Sequence, residues 1–250
     1  MKILILADIH ANAEALAAFA SIETSWDACL CVGDLVDYGV DPAPCVDWVR
    51  KHATAWVRGN HDHAVAQRVP ARGGSGFRAL AAATRPLNCD RLNHEQIGFL
   101  ARMPVTRYVT LGDQTFFLVH GTPYDPLDEY LPDKPQLWQK RLENVEADFV
   151  CVGHTHLPFH LDLGDKQVIN PGSIGQPRDG DPRGSYVIVE DGRVSFHRFQ
   201  YDVDAALKSI RDAGINGEAY QVAENSLRLG GQVPQESVLY RSPAYADRSL

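Results

Sequence analysis

The sequence predicts a mixed α/β chain, with two mixed β-sheets packed as a sandwich, helices on the outside and a helical cap inserted between the two halves. Three observations lead there. The first third alternates short apolar runs with stretches of helical periodicity, which is the signature of strands covered on both faces. The second half instead pairs its apolar runs around Gly-Asp or Asp-Gly turns, the mark of antiparallel hairpins. Between them, residues 63–104 lose the strand pattern and take up a helical one.

In chain order, Ile3 to Ala7 is the first strand. Asn12 or Ala13 opens a helix whose Leu16, Phe19 and Ile22 make a buried stripe. Cys29 to Val32 is the second strand. Pro42 to His52 reads as a helix with Val46 and Val49 inward, and Ala53 to Val57 as the third strand. After a Gly73-Gly74-Ser75-Gly76 hinge comes an Ala-rich helix, Phe77 to Thr84. Asn93 caps another, which turns Ile97, Leu100 and Met103 to one face. As an insertion between two ligand-bearing blocks, this pair is expected to overhang the site or to pack on the scaffold.

Thr106 to Leu111 and Thr115 to Val119 form a hairpin around Gly112-Asp113. Asp133 to Val145 is helical, and Asp148 to Val152 is a strand. Leu157 to Leu163 pairs with Lys166 to Ile169, and Ser185 to Val189 with Val194 to Phe199. Val203 to Ala213 and Gly217 to Leu229 are helices, and the remainder is a polar tail without periodicity. The expected organisation is a core over residues 1–200, containing the cap at 63–104, then a helical extension and tail over 201–250.

Composition bounds the function. At 250 residues, with 44% hydrophobic and 22% charged, the chain can bury a full α/β core. A net charge of -8 argues against a nucleic-acid polymer as partner, since no broad basic footprint is available. No apolar run approaches the roughly 20 residues a membrane span needs. The run from Met1 to Ala7 is too short for a secretory signal. The five cysteines are odd in number, lack CxxC spacing and fall largely inside apolar runs, so a reducing, cytoplasmic location is expected.

The apolar runs share one ending. Asp8-Ile9-His10, Gly33-Asp34, Gly59-Asn60-His61-Asp62, His120-Gly121 and Gly153-His154-Thr155-His156 each follow a strand. In an α/β sheet such residues collect at the carboxyl edge of the strands, so they are placed to converge. Each has a plainer reading when taken alone. An aspartate after a strand caps the following helix, a His pair two apart is commonly surface, and Asp37 or Asp62 forms turns.

In order and spacing, these five blocks resemble the calcineurin-like metallophosphoesterase superfamily. Asn170-Pro171-Gly172-Ser173-Ile174-Gly175-Gln176-Pro177-Arg178 is similar to its small bacterial phosphodiesterase-like branch. The His61-Asp62 pair also resembles the dyad of all-helical HD phosphohydrolases, but the strand-rich surroundings count against that. What the first resemblance implies is a dinuclear metal centre. Asp34 would bridge, Asp8, His10 and His156 would complete one metal, and Asn60, His120 and His154 the other. Oxygen and imidazole donors without thiolate suit manganese, iron, nickel or zinc.

The implied activity is hydrolysis of phosphodiesters, phosphomonoesters or dinucleoside polyphosphates, with the diester ranked first, by metal-activated hydroxide attack. His61, next to a ligand, would protonate the leaving oxygen. Asp37 or Asp62 would orient a histidine, and Arg178 would grip the phosphate or else stay a solvated surface residue. The partner is then a small phosphorylated molecule, and self-association is left open. The rival reading is a catalytically silent interaction module on the same fold. Such a scaffold tends to lose ligands, whereas every position is filled here.

Overall fold

The computed structural model describes residues 1–231. The expected polar tail therefore lies outside the described residues beyond Gly231. Among the described residues, ten strands form two five-stranded sheets. The first is ordered β10(Arg193–Phe199), β9(Gly184–Glu190), β1(Lys2–Leu6), β2(Ala28–Cys31), β3(Ala55–Trp56). The second is ordered β4(Thr106–Leu111), β5(Gln114–Val119), β6(Phe149–Cys151), β8(Gln167–Asn170), β7(Phe159–Asp162). Both are mixed: β1 runs parallel to β2 and antiparallel to β9, while β5 runs antiparallel to β4 and parallel to β6.

Alternation along the strands decides which layer each side chain enters. Ile3 and Ile5 of β1, with Leu30, Val187 and Val189, meet Phe116, Leu118, Phe149, Cys151 and Ile169 of the other sheet. The Phe116 and Phe149 rings stack there at 4.9 Å. Leu4 and Leu6 point the other way, into a cluster with α1(Ala13–Ile22) and α2(Pro42–His52). Because β1 is buried on both faces, its sequence is a continuous apolar run. On the outer face of the second sheet, Phe117, Val119 and Val150 pack under Trp138 of α6(Pro135–Arg141).

The residues expected to form a cap fold as three helices. The first, α3(Asn60–Ala66), is one the sequence did not suggest, and it starts directly on the Asn60 block. The second, α4(Phe77–Arg91), runs seven residues beyond the expected end at Thr84, straight through Pro86. An internal proline costs a helix about 3 kcal/mol. Burial of Leu80 and Ala81 against α7(Val203–Asp212) and α8(Gly217–Leu229) works against that cost. The third, α5(His94–Arg102), opens on Asn93 and Gln96, which cap each other's backbone N–H. Its Phe99 and Leu100 lie in the main core.

Three boundaries also differ. Ala53 closes α2 rather than opening β3, α6 ends at Arg141 instead of Val145, and Ile22 is exposed because α1 stops there. Among the described residues no helix is long and apolar enough to cross a membrane.

Candidate metal centre

The loops after β1, β2, β5 and β6 and the start of α3 meet at one edge of the sandwich. They are tied together by main-chain bonds: Asp8 N–H to Gly33 O at 3.0 Å, His10 N–H to Asp34 O at 3.0 Å, and Gly153 N–H to His120 O at 2.9 Å. Asp8, His10, Ala11, Asp34, Asp37, Tyr38, His154 and His156 all have φ between 49° and 67°. Elsewhere among the described residues only Arg68 and Asp191 do so without being glycine. Left-handed backbone costs a residue with a side chain roughly 1–2 kcal/mol, so strain is concentrated at this edge. His154 and His156 are therefore not a surface pair, the plainer reading of their spacing, but are buried at this edge. They sit beyond β6, where left-handed turns aim them separately.

Six of the seven expected ligands gather into two buried triads. One is Asp8, His10 and His156, the other Asp34, His120 and His154. The donor atoms within each triad lie within 4.8 Å of one another. Asp34 reaches both, with Oδ2 3.1 Å from His120 Nε2 and 3.7 Å from His10 Nε2. Asp8 Oδ1 is 3.4 Å from His156 Nε2 and 3.7 Å from His10 Nε2. The seventh, Asn60, begins α3 between Gly59, which packs on the Asp34 carboxylate, and His61, whose N–H donates to Asp34 Oδ1 at 3.0 Å.

Three imidazoles are oriented from behind. His10 donates from Nδ1 to Val36 O at 2.9 Å, His120 to Val32 O at 2.7 Å and His156 to Gln176 O at 2.5 Å. At His10 and His156 the bond fixes the tautomer that leaves Nε2 as a lone pair facing the centre, and at His120 it aims Nε2 at Asp34 Oδ2. His10 and His156 thereby point two lone pairs at each other, 3.1 Å apart. Asp8 Oδ1, Asn60 Oδ1 and His154 Nε2 are buried without a hydrogen-bond partner. Orphaned buried acceptors are rare and costly. Cations held by the two triads would satisfy these acceptors and separate the facing lone pairs. The residues present fit a pair of metal ions.

The electrostatics agree. Burial pushes Asp8 well above the usual carboxylate range and pushes His10, His154 and His156 well below the usual imidazole range, so these rings stay neutral. Burial opposes charge on Asp34 too, but His120, His61 and His10 hold it well below the ordinary value. Burial likewise disfavours the His120 imidazolium, yet Asp34 raises it to about 10. The metal-free centre thus keeps one carboxylate and one imidazolium as a buried pair.

His61 stands outside the triads, its ring perpendicular to that of His10 at 5.1 Å. Its Nδ1 meets Asp37 Oδ2 at 2.7 Å. Asp37 is thus the aspartate that orients a histidine, and Asp62 is not. Asp62 instead accepts N–H groups from Asp34 and Leu35 at 2.8 Å and from Gly59 at 3.0 Å, clamping the loop after β2 onto the first turn of α3. Arg178 is half-buried, with its guanidinium 4.3 Å over the Phe77 ring and 5.7 Å from that of Tyr38. One of its nitrogens donates to Gln176 Oε1 at 3.0 Å, while Nε has no partner.

Several residues of the site carry no signal in the sequence. Tyr38 packs at 4.6 Å on both His10 and His61, and Tyr130 lies 3.8 Å over His154. Arg85, Thr84 and Asn88 arrive from α4. The Asn170–Gln176 run was legible only by resemblance, and its work is structural. Asn170 donates to Gly153 O at 2.8 Å, Ser173 to Asp8 O at 2.6 Å, and Asn12 holds Gly175 O at 2.8 Å.

Residues 1–192 match the family model of the calcineurin-like phosphoesterase superfamily domain. An uncharacterised protein of Methanocaldococcus jannaschii is 31% identical over 230 residues, 83% of this chain and 91% of that protein. The phosphodiesterase YfcE of Escherichia coli K12 is 28% identical over 202 residues, covering 78% of this chain and 90% of YfcE. A crystal structure of a metallophosphoesterase from Sphaerobacter thermophilus superposes with a TM-score of 0.77 at 32% identity, over 92% of this chain and 99% of that one.

Proposed function

The chain belongs to the calcineurin-like phosphoesterase superfamily and is a metal-dependent phosphoester hydrolase, and from that membership we propose that it cleaves small phosphodiesters at a dinuclear centre. The observation that carries this reading is the meeting of two buried acid–histidine triads on one carboxylate, Asp34. Asp8, His10 and His156 would hold one ion and Asn60, His120 and His154 the other, with Asp34 between them. Oxygen and imidazole donors without sulfur suit manganese, iron, nickel or zinc. Bound there, the ions would supply a hydroxide at neutral pH and neutralise charge on the phosphoryl oxygens.

The remaining work falls to this chain's own side chains. Two carboxylates are too few to neutralise two divalent cations. With both ions bound the centre would therefore be locally positive in a chain of net charge -8 and would suit an anionic ester. Arg178 grips a non-reacting phosphate oxygen, supported by its place beside Tyr38 and Phe77 and its unpartnered Nε. His61, held at Nδ1 by Asp37, presents Nε2 to the departing ester oxygen and gives it a proton. The YfcE likeness supports a diester ahead of a monoester or a dinucleoside polyphosphate. Five buried free thiols fit a reducing, cytoplasmic setting.

The test is metal analysis of the purified protein together with turnover of bis-p-nitrophenyl phosphate, then of a panel of diesters, monoesters and dinucleoside polyphosphates. Two metals per chain and fastest turnover of a diester are expected. Bound metal without turnover of any ester would overturn the reading in favour of a silent interaction module.

A further inference from the structure

We infer that Arg85, on α4, is a positioning residue for His61, acting through Asp37 without touching substrate. This rests on the reading of His61 as the group that protonates the leaving oxygen. Asp37 is fully buried, and three donors converge on its Oδ2: His61 Nδ1 at 2.7 Å, Arg85 Nε at 2.8 Å and Arg85 Nη2 at 2.5 Å. Arg85 Nη2 also comes within 3.4 Å of His61 Nδ1, and Nη1 reaches forward to Val69 O at 3.2 Å. A buried carboxylate with the imidazole as its single partner would be left poorly compensated, and a buried charge without partners is destabilising. Arg85 supplies the compensation with a planar donor fork that also fixes direction.

The rest of α4 holds the same loop. Thr84 Oγ1 accepts the Tyr38 N–H at 3.0 Å, Asn88 Oδ1 accepts the Asp37 N–H at 3.0 Å, and Asn88 Nδ2 donates to Gly39 O at 2.9 Å. Asp37 and Tyr38 stand at φ 66° and 61°, a conformation neither residue prefers. One face of α4 therefore imposes the loop geometry, and Arg85 carries that geometry through the carboxylate to the imidazole.

A double-mutant cycle tests this. Arg85→Ala and His61→Ala are made singly and together, and kcat and KM are measured on an alkyl and a p-nitrophenyl diester, with metal content determined for each. A residue that orients a catalytic group is typically worth about 10- to 100-fold. Arg85→Ala is expected to lower kcat by that factor on the alkyl ester and by less on the aryl one, with KM and metal content near wild type. It should cause no further loss once His61 is gone.

Arg85→Lys keeps the charge but loses the fork and should fall between, and it carries the test if Arg85→Ala does not fold. An equal loss with and without His61 would make Arg85 a scaffold residue and overturn the inference. So would a raised KM at unchanged kcat, which would put Arg85 on the substrate. Wild-type activity of His61→Ala alone would overturn the underlying reading, and that is seen without touching Arg85.

Discussion

His10 Nε2 and His156 Nε2 face each other at 3.1 Å, 146 residues apart in sequence, although each ring has already committed its Nδ1 hydrogen to a main-chain carbonyl. Two lone pairs held so close repel unless a cation lies between the rings and the Asp8 carboxylate. The arrangement is preorganised for metal and is costly without it.

The metal assignment predicts unequal effects for two ligands. Asp34 approaches both triads, so Asp34→Asn should weaken both ions. His156 belongs to one triad, so His156→Ala should empty mainly one site. Metal content per chain after dialysis measures this. Two tightly held ions in Asp34→Asn would end its bridging role.

Metal loading should expel protons. In the metal-free chain Asp34 holds the His120 imidazolium to about 10, far above an unfolded histidine near 6.5. Ligation needs the neutral His120 ring and an ionised Asp8, whose proton burial favours in the metal-free centre, so binding at neutral pH releases protons from both and weakens as pH falls. Titration calorimetry in buffers of different ionisation enthalpy reads the proton count directly.

The same pair fixes how stability of the metal-free chain depends on pH. His120 has a folded value above its unfolded one, so its contribution is complete below about 6.5 and disappears as pH rises through about 10. The melting temperature of the metal-free protein should fall across that window, while the loaded protein, which has already lost this proton, should lack this component. Parallel melts of the two forms compare them, and identical slopes would count against the His120–Asp34 pair.

His61→Ala should keep its metals and lose kcat, because the triads are complete without it. General acid assistance is worth roughly 10²–10⁴-fold. The loss should be large for an alkoxide leaving group and small for p-nitrophenolate, which departs without a proton. A variant depleted of metal would make His61 a ligand instead.

Gly59→Ala is the smallest change expected to damage the centre. A Cβ there would overlap the Asp34 carboxylate and crowd the Asp34 main-chain nitrogen, neither of which can retreat while Asp62 clamps the loop. Overpacking of this kind costs about 1–3 kcal/mol. Lower metal affinity alongside a reduced melting temperature is the expected pair of observations.

Much of the fold was legible because its signals are local. Alternation and 3.6-residue periodicity located β1, the β4–β5 and β9–β10 hairpins, α1 and α8, and turn residues located the hairpin bends. The errors fell where distant contacts outweigh local preference. Pro86 signals a helix end, but α4 continues because Leu80 and Ala81 are buried against α7 and α8. Helix α3 was missed because seven residues around a ligand block carry too few apolar positions to show a period.

The sequence by itself marked the Asp and His side chains that gather in the two triads. An apolar run that ends in Asp, Asn or His leaves the sheet at its edge, since those groups cannot continue into the apolar core unpaired. Tertiary structure alone decided how they divide. It sent His154 and His156, two residues apart, to different triads through left-handed turns. It gave Asp37 rather than Asp62 to His61, and it brought Arg85 to Asp37 across 48 residues. Such pairings depend on how separate elements pack. No spacing along the chain encodes that, because the distances that matter form only once both sheets and the helices around them are in place.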